Sequence, residues 1–255
     1  MSFNVPAASY DRFMGRYSTQ LSAQLADLAG VSPGQRVIDV GCGPGVLTRE
    51  LVGRVRAENV AAVDPSESFV EAVRERLPGV DVRVAAAESL PFQDGVFDVA
   101  LAQLVVHFMA EPVVGLREMA RVTRVGGAVA ACVWDFEGER APLSRFWATA
   151  RSFDPLVIDE SHLAGARHGH LEELFAEAGL VDVRATTVVA RIEEPTFAAW
   201  WEPYTLGVGP AGAYVATLDE GQREHLRAAC REALGPGPIT IEAQAWACVG
   251  RVRRS

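Results

Sequence analysis

The sequence predicts an α/β fold, a parallel sheet with helices on both faces. Three observations carry this. Between residues 36 and 134, short apolar runs alternate with stretches of helical periodicity, the rhythm of repeated strand–crossover–strand units. The runs are apolar throughout rather than alternating, as strands buried on both faces are. A glycine-rich turn, Gly41-Cys42-Gly43-Pro44-Gly45, leads from the first run into the first helix of the series, on the edge where open α/β sheets bind ligands.

The elements follow in order. The first ~35 residues read as amphipathic helix, with Leu21, Leu25 and Leu28 at helical spacing and Gly30, Pro33 and Gly34 ending the pattern. Residues 36–40 form a strand, 41–45 the turn and 46–54 a helix. A second strand (59–63) ends at Asp64-Pro65. A helix follows over 66–77, with Ser66 as N-cap and Phe69, Val70, Val73 and Leu77 on one face. Further strands are expected at 80–85, 97–102 and, after Gly126-Gly127, at 128–133, with a helix at 113–122. Beyond Trp134 the rhythm breaks. A short helix (171–178), a strand (180–192), the aromatic stretch 196–204, a helix (220–233) and a last strand (239–249) complete the chain, and Gly207–Gly212 reads as a mobile loop.

The 255 residues suit one domain, and 49% apolar with 22% charged residues is ordinary globular usage. All 24 cations are arginine, against 33 acids, for a net charge of −9. That balance argues against nucleic-acid and anionic-membrane partners. No apolar run reaches the ~18 residues of a membrane span. The opening stretch MSFNVPAASYDRF has no basic region followed by an apolar core, so no secretory leader is read there. Cys42, Cys132, Cys230 and Cys248 are scattered without a CxxC pair. Neither structural zinc nor a disulfide framework is expected, and the cytoplasm is the expected compartment.

The turn narrows the ligand. Its glycines are spaced GxGxG, with Val46 where a dinucleotide fingerprint has its third glycine. Asp39 stands two residues before the first glycine. A carboxylate there repels a pyrophosphate and attracts an amine. S-adenosylmethionine (SAM), with an ammonium, a sulfonium and no phosphate, fits this better than a nicotinamide or flavin cofactor. Asp64, about 20 residues on, is placed to accept from ribose hydroxyls, as it would for either nucleoside. Each residue also has a purely structural reading: a tight turn, a helix-capping acid at Asp64, a buried carboxyl satisfied by backbone at Asp39.

With these residues, the sequence resembles the class I SAM-dependent methyltransferases, and within them the small-molecule branch of the ubiquinone and menaquinone C-methyltransferases (methyltransferase type 11). The matching stretches are VIDVGCGPG (37–45), AAVDPSESFVEAVRER (61–76), AAAESLPFQDGVFDVALAQLVVHF (85–108) and REMARVTRVGGAVAACVW (117–134). The resemblance implies a Rossmann-like seven-stranded sheet, parallel except for an antiparallel last strand, with lid insertions. It implies that Asp39, Gly41, Cys42, Gly43 and Gly45 hold the methionine end of SAM, Asp64 the ribose, Pro65, Ala87 and Glu88 the adenine, and Gln103 and Leu104 the sulfonium. Where the family often has Gly-Asp-Ala, this chain has Ala85-Ala86-Ala87, so one adenine hydrogen bond is missing and Glu88 or a backbone carbonyl would replace it. The segment Tyr10–Tyr17 resembles the family's leading helix, with Arg16 toward the methionine carboxylate and Tyr10 or Tyr17 on the methyl channel.

One SAM-dependent methyltransferase domain is therefore expected over 1–255, with a helical cover (1–34), a cofactor-binding core (35–134) and substrate-lid segments at 135–170 and 195–236. The expected activity is methyl transfer from SAM to a small, apolar or aromatic acceptor. The alternatives are a SAM sensor without turnover, or transfer of another group from a modified SAM. Methyl transfer from a sulfonium needs alignment first, and a base only if the acceptor must lose a proton. His107, after the fourth strand, and Asp135, after the fifth, are the base candidates. Trp134, Trp200, Trp201 and Tyr204 are the candidates for acceptor contact. His168-x-His170 alone is too sparse for a metal site, and no metal is expected. Arg251, Arg253 and Arg254 read as a solvated tail.

Overall fold

The computed structural model describes residues 6–253. The first five residues of the opening stretch used above, and Arg254 of the arginine tail, lie outside the described residues. The strands are β1 (Val37–Val40), β2 (Val60–Asp64), β3 (Asp81–Val84), β4 (Phe97–Gln103), β5 (Thr123–Trp134), β6 (Val181–Glu194) and β7 (Ile239–Arg251). They form one sheet in the order β3-β2-β1-β4-β5-β7-β6. The pairings from β3 across to β5 are parallel, and β7 runs antiparallel to both its neighbours. The expected seven-stranded sheet with an inverted last strand is what the chain forms.

The helices are α1 (Ala7–Tyr10), α2 (Arg16–Ala29), α3 (Val46–Val55), α4 (Glu67–Arg76), α5 (Pro112–Val122), α6 (Ser144–Phe153), α7 (His170–Glu177), α8 (Phe197–Trp201), α9 (Gly209–Thr217) and α10 (Glu220–Leu234). A π-turn, Asp11–Gly15, joins α1 to α2. Alternate residues of the central strands serve opposite faces. Val37, Val99, Leu101 and Ala130 pack with Leu21, Leu25 and Leu51 of α2 and α3. Ile38, Val40, Ala100 and Val129 pack with Leu116 and Met119 of α5 and Phe175 of α7. Both faces are covered, which is why the strands carry no polar alternation.

Two elements depart from the reading of the sequence. β5 begins five residues early because it runs through Gly126-Gly127, where the register against β4 slips between Phe97 and Val99; paired glycines mark such an irregularity as readily as a strand start. The stretch 207–212 is not a loop. Gly209 opens α9 with a proline in its first turn, and Val208, Ala211 and Gly212 are buried. Pro210 starts a helix here because the first turn needs no amide from it.

The outer edge of β6 is covered by side chains. Gln20 of α2 donates to the Arg191 carbonyl at 2.8 Å and accepts from its amide at 3.0 Å. Gln24 does the same at Val189, at 2.8 and 3.1 Å. Two primary amides thus take the place of a neighbouring strand.

Candidate active site

The turn is built on left-handed backbone: Gly41, Gly43 and Gly45 have φ of 73°, 51° and 93°, which only glycine adopts at low cost. At Gly41 a Cβ would lie 2.5 Å from both methyls of Val105. The Gly41 and Cys42 amides donate to the Val63 carbonyl at 2.8 and 2.9 Å, and the Gly43 amide donates to Asp64 Oδ2 at 2.9 Å. Asp64 Oδ1 accepts from the Ser66 amide at 2.8 Å. Burial raises the Asp64 pKa above the ordinary carboxyl value, and these two amides oppose the rise.

Beside the turn lies a cavity of about 360 Å³, within the range of ligand sites. Gly41, Gly43, Asp64, Pro65, Ala87, Glu88, Leu104 and Tyr10 all line it, as do Phe69 and Phe108. Ala86 lines it too, where the resemblance led to an aspartate. Glu88 is held by the Glu111 amide, 3.2 Å from its Oε1.

Asp39 is buried behind the turn. Its Oδ2 accepts from the Thr48 hydroxyl at 2.6 Å, while Oδ1 is buried with no partner. Burial pushes its pKa up to about 7, against the Thr48 hydrogen bond. A buried carboxyl oxygen without a donor is costly, and an ammonium at the turn would relieve it. The chemistry of these residues fits SAM: a buried acid short of one donor behind the turn, a tethered acid at the cavity rim, and mostly apolar walls.

A second, small cavity of about 30 Å³ adjoins the first; Tyr10, Leu104 and Phe108 line both. Its remaining walls are mostly apolar: Phe13, Met14, Trp134, Phe136, Leu143, Val208 and Pro210. Besides Tyr10, two titratable groups line it, His107 and Glu160. His107 is buried with Nδ1 unpartnered, and burial lowers its pKa to about 3. Glu160 is 3% exposed, accepts from Trp147 Nε1 at 2.9 Å, and is pushed by burial up to about 7. Glu160 was not picked out from the sequence. It lies in an irregular stretch with no motif, and its neighbours Asp159, Ser161 and His162 are polar, as in many surface turns.

Several expected contacts do not form. Arg16 turns away from the turn to pair with Glu194 of β6. Tyr17 is buried edge-on against Trp134 and lines neither cavity. Cys42 sends its side chain into a cluster with Ala62, Val70 and Val73, because the chain bends there to let Gly41 and Gly43 face the cavity. Gly45 abuts Val73, 3.0 Å from where its Cβ would be, so it serves helix packing. Gln103 is tied to the Ser18 carbonyl at 3.1 Å and Leu104, not Gln103, forms the wall. Asp135 closes a turn by accepting from the Gly138 amide at 2.8 Å. Trp200, Trp201 and Tyr204 are buried in the core of the cap: Tyr204 stacks on Phe146 at 4.5 Å and lies 4.9 Å from Trp200. Trp200, Trp201 and Tyr204 are almost fully buried, their rings packed against one another and against Phe146. Trp134 does line the second cavity, its Nε1 unpartnered. His168 lies edge-on to Trp246 and His170 accepts from the Gly165 amide, so the pair is engaged in local packing.

Comparison with known proteins agrees with this geometry. Residues 38–131 match the family model described as a methyltransferase domain. The chain is 30% identical over 189 residues to 2-methyl-6-phytyl-1,4-hydroquinone methyltransferase of Synechocystis sp., covering 73% of this chain and 58% of that protein. It is 34% identical over 151 residues to the chloroplastic 2-methyl-6-phytyl-1,4-hydroquinone methyltransferase 2 of Oryza sativa subsp. japonica, covering 58% and 40%. The chain thus spans about half the length of these curated relatives. In fold it is similar to geranyl diphosphate C-methyltransferase from Streptomyces coelicolor A3(2), solved with Mg2+, geranyl diphosphate and S-adenosyl-L-homocysteine: TM-score 0.55, 15% identity, over 93% of this chain and 80% of that one. The glycine turn, the tethered acid at the end of β2 and the edge of β4 all fall within the matched segment, and this segment, residues 38–131, is a SAM-dependent methyltransferase domain.

Proposed function

We propose that this chain transfers a methyl group from SAM to a small, apolar or aromatic acceptor. The observation that carries the reading is the shared wall: the cavity beside the glycine turn and the aromatic cavity meet at Tyr10, Leu104 and Phe108. A donor in the first presents its reactive group toward the second, which at about 30 Å³ must widen through its lid segments to admit an acceptor ring.

The cofactor supplies an electrophilic methyl on a sulfonium. The chain's residues position and shield it. Asp39 Oδ1 and the turn take the ammonium end, Asp64 takes ribose hydroxyls through its remaining lone pairs, and Ala87 with Phe69 and Pro65 encloses the base. Leu104 and Phe108 keep water from the junction, which favours in-line approach over hydrolysis. The segments 135–170 and 195–236 act as the acceptor lid through Phe136, Leu143, Glu160 and Val208–Pro210. The 135–170 stretch meets the cavity directly, whereas the rings of 200–204 stiffen the lid from behind. Among the described residues no helix is long and apolar enough to cross a membrane.

Titration calorimetry with SAM, S-adenosylhomocysteine and NAD, followed by methyl release over a metabolite library, tests the reading. SAM binding with turnover of an aromatic or apolar metabolite is expected. Binding of NAD in place of SAM overturns the cofactor, and SAM binding without turnover of any metabolite favours a sensor.

A further inference from the structure

The aromatic cavity has a polar pole. Glu160 enters it from the lid with one hydrogen bond from the protein, the Trp147 N–H. The charged residue next to it, Asp159, is itself anionic and is paired with Arg151. His107 and Trp134 line the same cavity and bring in an imidazole and an indole whose Nδ1 and Nε1 are buried and unpartnered. The field of Glu160 reaches Tyr204, packed behind the lid, and Tyr10 is a further titratable group on the cavity wall. A pocket that served a purely apolar acceptor would gain nothing from burying a carboxyl with one hydrogen bond beside an imidazole nitrogen and an indole N–H that have none.

We propose that Glu160 recognises an acceptor carrying a hydroxyl or amine on an aromatic ring, and takes the proton of that group as the methyl is transferred. This rests on the methyltransferase reading above. In the step, the acceptor heteroatom forms the new bond to the methyl carbon and the carbon–sulfur bond of the sulfonium breaks, its electron pair remaining on sulfur. The O–H or N–H bond breaks, and its proton passes to a Glu160 carboxylate oxygen. His107, held neutral, positions the acceptor ring through its unpartnered nitrogen. Burial sets Glu160 near neutrality, where a general base has both a large ionised fraction and useful basicity. Glu160 is thus a catalytic residue in this proposal and His107 a positioning one.

The probes are para-fluorophenol and para-fluoroanisole, which differ in the donor hydrogen. Binding to the full chain is followed by fluorine NMR in the presence of S-adenosylhomocysteine. Calorimetry first establishes that S-adenosylhomocysteine binds, so that failure of the cofactor reading is seen separately. The wild type is expected to bind the phenol at least tenfold more tightly than the anisole, with phenol affinity rising as pH climbs through about 7 because the ionised carboxylate is the better acceptor. Glu160→Gln, which keeps an oxygen for Trp147, is expected to retain S-adenosylhomocysteine affinity within threefold, to lose the phenol preference and to flatten the pH profile. The wild-type comparison stands even if the variant fails to fold. Equal binding of the two probes by the wild type, absence of phenol binding, or a flat wild-type pH profile overturns the proposal.

Discussion

The Gly43 amide donates to Asp64 Oδ2 at 2.9 Å, so the tip of β2 is tied to the turn that follows β1. The tie fixes the carboxylate that faces the cavity, and the same residue caps the step into α4 by accepting from Ser66. One residue therefore sets both the shape of the turn and the polarity of the wall.

Asp64→Ala removes the ribose acceptor and leaves two amides without a partner. Charge-assisted hydrogen bonds contribute about 1.5–3 kcal/mol each, so SAM affinity should fall roughly 100-fold for a loss near 3 kcal/mol. Calorimetry measures this. Unchanged affinity would sink the ribose assignment, and a fall in thermal midpoint without a fall in affinity would assign Asp64 to the turn alone.

Gly41→Ala places a methyl 2.5 Å from both Val105 methyls on backbone at φ 73°. Gly34, at φ 89°, has nothing within 4 Å of its absent Cβ, so Gly34→Ala carries the backbone strain alone, of order 1 kcal/mol. Overpacking adds about 1–3 kcal/mol at Gly41. At roughly 2–4 °C per kcal/mol for a chain of this size, Gly41→Ala should melt several degrees below Gly34→Ala. Val105→Ala in the same chain should recover most of that gap, and failure to recover would place the strain elsewhere than at Val105.

Asp39 links stability, pH and ligand. An unfolded aspartate titrates near 3.9, whereas burial holds the folded one at about 7. The fold therefore prefers the protonated form. The stability this residue contributes is present below about pH 4, declines as pH rises to about 7 and stays lost above. Asp39→Asn, neutral throughout, should gain thermal midpoint relative to the wild type between pH 4.5 and 7.5, by about 4 °C or more, while losing SAM affinity. A cation docking at Oδ1 favours the ionised form, so SAM binding to the wild type near pH 6 should release a proton. Calorimetry in two buffers of different ionisation enthalpy reads this directly, and no proton release would separate Asp39 from the ammonium.

What was legible in the sequence was whatever leaves a local pattern. The strands showed because burial on both faces makes them apolar runs, and the turn because positive φ calls for glycine at Gly41 and Gly43. Asp64 showed because strand tip and turn come close at a fixed spacing. What was not legible depends on neighbours far along the chain. Arg16 was read toward the cofactor, but its partner is Glu194, 178 residues away. Trp200, Trp201 and Tyr204 have the composition of a binding wall, and Phe146 decides that they are core. Glu160 is the converse case, a residue in an irregular turn whose burial is produced by Trp147 from another helix and has no trace in its own flanking residues.

The glutamine guard on β6 is the last of the long-range devices with a measurable consequence. Residues 185–190, Ala-Thr-Thr-Val-Val-Ala, are uncharged, free of proline and rich in β-branched side chains, the composition that pairs with copies of itself when an edge is open. Gln20 and Gln24 occupy the Val189 and Arg191 backbone groups on that edge. Substituting alanine at both removes four hydrogen bonds at an exposed site, a loss of about 2 kcal/mol after competition from water, and opens the strand. The double variant should melt lower and scatter light earlier on heating than the wild type, with the excess scattering growing with protein concentration. SAM affinity should be unaltered, since neither glutamine lines the cavity beside the glycine turn or the one adjoining it. A variant that melts lower without concentration-dependent scattering would show that the two amides stabilise α2 against β6 and do not protect the edge.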